Sequence, residues 1–171
     1  MTEESMRYFV TAFPNDESAV DALQKLIDAQ GERKMIKDVA LVRKDQDGKI
    51  IVGETADKSG EYGGKLGGFL GGLLGMFSGP AGVVIGVSAG DLFTAPLAER
   101  LVDAGLDNQV LEDFGASLEP GNAIIITVLK EEWYQEASDI LTEASGRMVT
   151  DQIDARLVAE LDEAIDKYLG S

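Results

Sequence analysis

Residues 123–130 read AIIITVLK. Three consecutive isoleucines followed by Thr and Val lack polar alternation, which predicts a central strand buried on both faces. Before it, Glu119-Pro120-Gly121-Asn122 is a turn signal. After it, residues 131–145 predict a helix carrying Trp133, Ile140 and Leu141, ended by Gly146. Residues 147–153, RMVTDQI, predict a last strand. Residues 154–169 predict a C-terminal helix with Leu157, Leu161, Ile165 and Tyr168 on one side and Gly170 behind it.

The N-terminal part has the same grammar. Residues 7–13, RYFVTAF, have strand composition and stop at Pro14. Asn15 or Asp16 then caps a helix whose apolar face is Val20, Leu23, Leu26 and Ile27, with Gly31 as its stop. Residues 36–44, IKDVALVRK, predict a second strand; DQDG at 45–48 turns it into KIIVGET, so 37–44 and 49–55 predict a β-hairpin. Residues 91–104 and 107–118 predict two further helices, the first with Pro96 at a break or in its first turn.

With residues 45–122 set aside, the order is strand, helix, strand, strand, helix, strand. That order predicts an α+β, ferredoxin-like split βαβ unit: four antiparallel strands with two helices on one face. The expected division is 1–57 as its first half, 58–106 as an inserted glycine-rich helical hairpin and helix, and 107–171 as its second half plus the C-terminal helix.

The insertion is the unusual part. Residues 63–79 read GGKLGGFLGGLLGMFSG, with glycine at 63, 67, 71, 75 and 79 and a second register at 60, 64, 68 and 72; the spacing resumes at 82, 86 and 90. From Leu66 to Gly90 there is no charge, a run long enough to span a bilayer if unbroken, but Ser78-Gly79-Pro80 breaks it. The pattern therefore predicts two short helices folded into a hairpin. Each interior glycine costs about 0.5–1 kcal/mol relative to Ala. Glycine every fourth residue offsets this by letting a second backbone approach closely. A flexible linker would be polar; this segment carries Leu66, Phe69, Leu70, Leu73, Leu74, Met76 and Phe77. The expected packing residues are Gly63, Gly64, Gly67, Gly68, Gly71, Gly72, Gly75, Gly79, Gly82, Gly86 and Gly90 with Leu66, Phe69, Leu70, Leu73, Leu74 and Phe77. A sheet alone does not cover a helix that is apolar all round, so copies of the chain or lipid are the expected cover.

Composition narrows the chemistry. The chain of 171 residues has no Cys and no His, which removes thiolate sites, the commonest general base and the commonest metal ligand. Its 31 acidic and 15 basic residues leave a net charge of −16, which repels nucleic acid and anionic surfaces. The first residues, MTEESMRYFV, lack the basic region and apolar run of a secretory signal, so the expected compartment is the cytoplasm.

Chemical motifs fail on spacing. A phosphate loop needs a glycine five positions before the Gly-Lys pair and a hydroxyl after it, but Gly64-Lys65 has Ser59 and Leu66 there. The doublets do not supply a dinucleotide fingerprint. Counted from Asp45, the calcium-loop positions six and twelve hold Ile50 and Ala56. The pairs Glu131-Glu132 and Glu112-Asp113 read as solvated helix faces, and Trp133 as packing. No catalytic, metal or cofactor residues are expected.

FPNDESA at 13–19, GGKLGGFLGGLLG at 63–75 with GPAG at 79–82, and LEPGNAIIITVL at 118–129 together resemble the DUF1269 family, over about residues 7–152. The family comprises uncharacterised bacterial proteins, often labelled predicted membrane proteins; the resemblance implies no reaction. Three functions are weighed. The first is a non-enzymatic, self-assembling scaffold whose glycine hairpin drives homo-oligomerisation. The second is a stress-related protein that inserts the hairpin into the inner membrane. The third is a small-molecule-binding regulatory domain. The expected partners are copies of the chain, with a lipid membrane in the second reading and no nucleic acid in any.

Overall fold

The computed structural model describes residues 5–47, 50–53, 68–78, 84–85, 94–144 and 147–170. Strand β1 (Ser5–Phe13) leads to helix α1 (Asp16–Gln30) and strand β2 (Ile36–Lys44), which pairs with β3 (Ile50–Gly53). Helix α2 (Gly68–Ser78), strand β4 (Val84–Ile85) and helices α3 (Thr94–Asp103) and α4 (Asn108–Ala116) follow. Strand β5 (Ala123–Lys130), a 3₁₀ turn at Glu131–Trp133, helix α5 (Tyr134–Glu143), strand β6 (Arg147–Asp154) and helix α6 (Ala155–Gly170) complete the chain.

The strands form one sheet in the order β4-β3-β2-β5-β1-β6. Five strands run antiparallel to one another, and β4 joins β3 in parallel. The isoleucine strand sits in the middle, between β1 and β2, as its composition predicts. Its side chains alternate between two cores: Ile124, Ile126 and Val128 face one, while Ala123, Ile125 and Leu129 face the other. The fold is therefore α+β with helices on both sides of the sheet.

The first side carries α1 and α5. Leu23 and Leu26 of α1 and Ala137 and Leu141 of α5 meet Phe9, Phe13, Ile125 and Leu129, all at most 1% exposed. The caps hold as expected. Asn15 Oδ1 accepts the Ser18 N–H at 2.8 Å, and Gly31 ends α1 at φ 58°, a conformation that strains residues with a side chain. Buried Gln30 then accepts the Ile36 N–H at 2.9 Å, tying the helix end to β2. At the rim, Arg7 forms a two-pronged pair with Glu131, both bonds 2.9 Å, and lies 3.9 Å over the Tyr134 ring. The Glu131 hydrogen bond raises the Arg7 pKa further above its ordinary value.

The second side carries α2, α3, α4 and α6. Asp107 caps α4 by accepting the Gln109 and Val110 N–H groups, and Pro96 sits in the first turn of α3, where its missing N–H is harmless. Two expectations are corrected here. Among the described residues, only the first arm of the expected glycine-rich hairpin is helical. In the second arm, Val84–Ile85 is a strand that pairs with Ile50 and Ile51. The β-branched run Val83-Val84-Ile85 favours extended backbone, and the glycines around it give a helix no support. The helix expected from residue 131 also begins later, because Glu131–Trp133 winds as a 3₁₀ turn.

Candidate functional site

The glycine-rich segment enters the described structure at α2, whose sequence GFLGGLLGMFS contains no charge. One side of the helix lies over the sheet, where Phe69 meets the Tyr8 ring at 6.3 Å between centroids. The others are covered by α3, α4 and α6. Phe69, Leu70, Leu73, Leu74 and Met76 share a core with Leu101 of α3, Leu111 of α4, and Val158 and Leu161 of α6. Each of these side chains is at most 2% exposed.

Magnitudes explain why this glycine-rich helix forms. Its four glycines cost roughly 2–4 kcal/mol in propensity relative to alanine. Burying each of the five large side chains contributes about 1.5–3 kcal/mol, so burial outweighs propensity. The same burial acts on Tyr8 beneath it: desolvation first, then the charges of Asp151 and Asp107, raises the phenol pKa to about 12.

A close backbone contact lies at the helix start. A β-carbon on Gly68 would lie 1.8 Å from the Leu161 carbonyl oxygen and 2.3 Å from its carbon. Only hydrogen fits there, so α2 and α6 meet backbone to backbone. One residue on, the Phe69 N–H donates to Asp162 Oδ1 at 3.1 Å. The carboxylate from α6 thus satisfies one of the open N–H groups at the α2 N-terminus and complements the helix dipole.

Among the residues expected to pack, Gly68, Phe69, Leu70, Gly71, Gly72, Leu73 and Leu74 are buried in α2, and Gly75 is half-buried. Phe77 lies in the helix, with its side chain outside the described part. Gly63, Gly64, Leu66, Gly67, Gly79, Gly82, Gly86 and Gly90 lie outside the described residues. Among the described residues, α2 packs against three helices of its own chain, α3, α4 and α6. Sequence reasoning missed Leu161 and Asp162. Leu161 showed its helical period but not its neighbour, and Asp162 is one carboxylate among 31 acidic residues.

Among the described residues, no group of three or more Asp, Glu, His or Cys is placed to hold a metal ion. No helix among them is long and apolar enough to cross a membrane. The sequence profile of the DUF1269 family, described as "Protein of unknown function (DUF1269)", matches residues 64–166, more than half of the chain. The chain belongs to the DUF1269 family. The matched stretch contains α2, α3 and α4 and reaches into α6, which runs on to Gly170. No curated protein and no solved structure matches the chain.

Proposed function

We propose that this DUF1269 protein is a non-enzymatic structural module that assembles with copies of itself. The four-strand order β2-β5-β1-β6, with α1 and α5 on one side, supports reading its body as a ferredoxin-like split βαβ unit carrying an insertion. The observation that carries assembly is the edge of this sheet. β6 has eight residues, no proline and an unbroken register against β1, and among the described residues no strand pairs with its outer side. An edge of that length offers a row of N–H and C=O groups to another strand. At the opposite edge, β4 comprises two residues among those described. Intrachain cover of α2 moves the expected contact from the described glycine helix to the sheet edge.

The test combines sedimentation with amide exchange. Mass should rise with concentration, and alternate amides along Arg147–Asp154, those facing away from β1, should become protected as it does. A chain that remains single at about 100 μM, or one that assembles with β6 exchange unchanged, refutes the reading.

A further inference from the structure

A second feature lies where β1 ends and β5 and β6 begin. An open cavity of about 420 Å³ is bounded there by Phe13, Pro14, Ser117, Glu119, Asn122 and Arg147. Its volume falls within the ~300–1,000 Å³ range of small-molecule sites.

The wall carries both signs of charge. Arg147 donates one N–H to Ser117 Oγ at 3.3 Å, and its guanidinium carbon lies 5.8 Å from the Phe114 ring centre. Neither contact neutralises it, and a guanidinium has five N–H donors. Glu119 has its backbone N–H bonded to Asn122 Oδ1 at 2.9 Å. Its carboxylate has no hydrogen-bond or ion-pair partner among the described residues, and the same is true of an acidic partner for Arg147. The two opposite charges thus line one cavity without pairing with each other. The Asn122 amide, with its oxygen engaged, presents its NH₂ group as a further donor. Pro14, exposed at the rim, supplies an apolar side, with Phe13 buried behind it.

From this arrangement we propose that the cavity binds a free α-amino acid with an apolar side chain. Its carboxylate is held by Arg147 with help from Asn122, its ammonium by Glu119, and its side chain lies against Pro14. Arg147 has the planar fork that matches a carboxylate in two-point contact. The net charge of −16 favours this ligand class over a simple anion, because the overall field repels a carboxylate but not a molecule of zero net charge.

The experiment titrates the full chain with L-valine and follows backbone amide shifts of Ser117, Asn122 and Arg147. Isovalerate, which lacks the amine, and isobutylamine, which lacks the acid, are the matched controls. Saturable shifts are expected with L-valine below about 10 mM, and each control should bind about tenfold more weakly. Arg147→Gln and Glu119→Gln should each weaken L-valine about tenfold with the melting temperature unchanged, since both side chains are exposed. No saturation by about 10 mM overturns the proposal, as does isovalerate binding as tightly as L-valine, or Glu119→Gln binding like the parent chain. Arg147 opens β6, so its amide also answers to assembly; shifts at Ser117 and Asn122, which lie outside that strand, separate ligand binding from strand pairing.

Discussion

The two sides of the sheet share strands and differ in how they are built. On one, α1 and α5 each follow a strand within a short stretch of sequence and lay an ordinary aliphatic stripe on it. On the other, α2 is a glycine-rich helix held by helices from distant parts of the chain, with a bare backbone at Gly68 set on α6. Helix propensity and local pattern suffice for the first side. The second depends on neighbours, so it is the side where a single atom matters most.

The comparison breaks hardest at matched leucines. Leu23 in α1 and Leu73 in α2 are both fully buried. Replacing either by Ala should lower stability by about 2–5 kcal/mol in urea unfolding. One shared transition in both variants would show that β5 couples the layers. Two steps in Leu73→Ala would show that the α2 layer melts by itself. Next comes Gly68→Ala, expected to cost about 3 kcal/mol because the new methyl meets backbone rather than a movable side chain. Faster amide exchange in α6 than in α1 would locate that damage, and unchanged stability would contradict the contact.

A third effect is pH-dependent. Unfolded tyrosine ionises near pH 10, whereas folded Tyr8 stays neutral to about 12. Below pH 10 the stability is intact; between 10 and 12 the unfolded state binds fewer protons and is favoured. The loss should be on the order of 2–3 kcal/mol, and Tyr8→Phe should abolish that part of it. Alkaline unfolding followed by calorimetry checks both. The smallest effects compare caps on the two sides. Asn15→Ala removes a cap within α1, and Asp162→Ala removes one that α6 lends to α2. Each should cost about 1 kcal/mol, but only the second should loosen the contact between two helices.

What could be read from sequence follows the same divide. The isoleucine run, the cap at Asn15, the stop at Gly31 and the turn before Ala123 are local signals, and each appears in the structure at its expected place. The period of the glycines led to an expectation of close backbone approach; at Gly68 the backbone of α6 comes that close. The period does not encode whose backbone approaches, since a helix within the chain and one outside it impose the same spacing. Val84–Ile85 was misread because glycine punctuation suggested a continuing helical period, while the β-branched side chains between the glycines preferred a strand. The charges at Glu119 and Arg147 were not legible as a pair; they are 28 positions apart and meet only because β5 and β6 start at the same end of the sheet.

Trp133, the single tryptophan, lies with α1 and α5, 3% exposed, its indole N–H on the Glu136 carboxylate. The protein is therefore optically one-sided. Its tryptophan emission reports the layer of ordinary helices and does not register movement above the opposite face until the shared strands give way. A shift in that emission dates the loss of the sheet; an unshifted spectrum leaves the state of the glycine helix unrecorded.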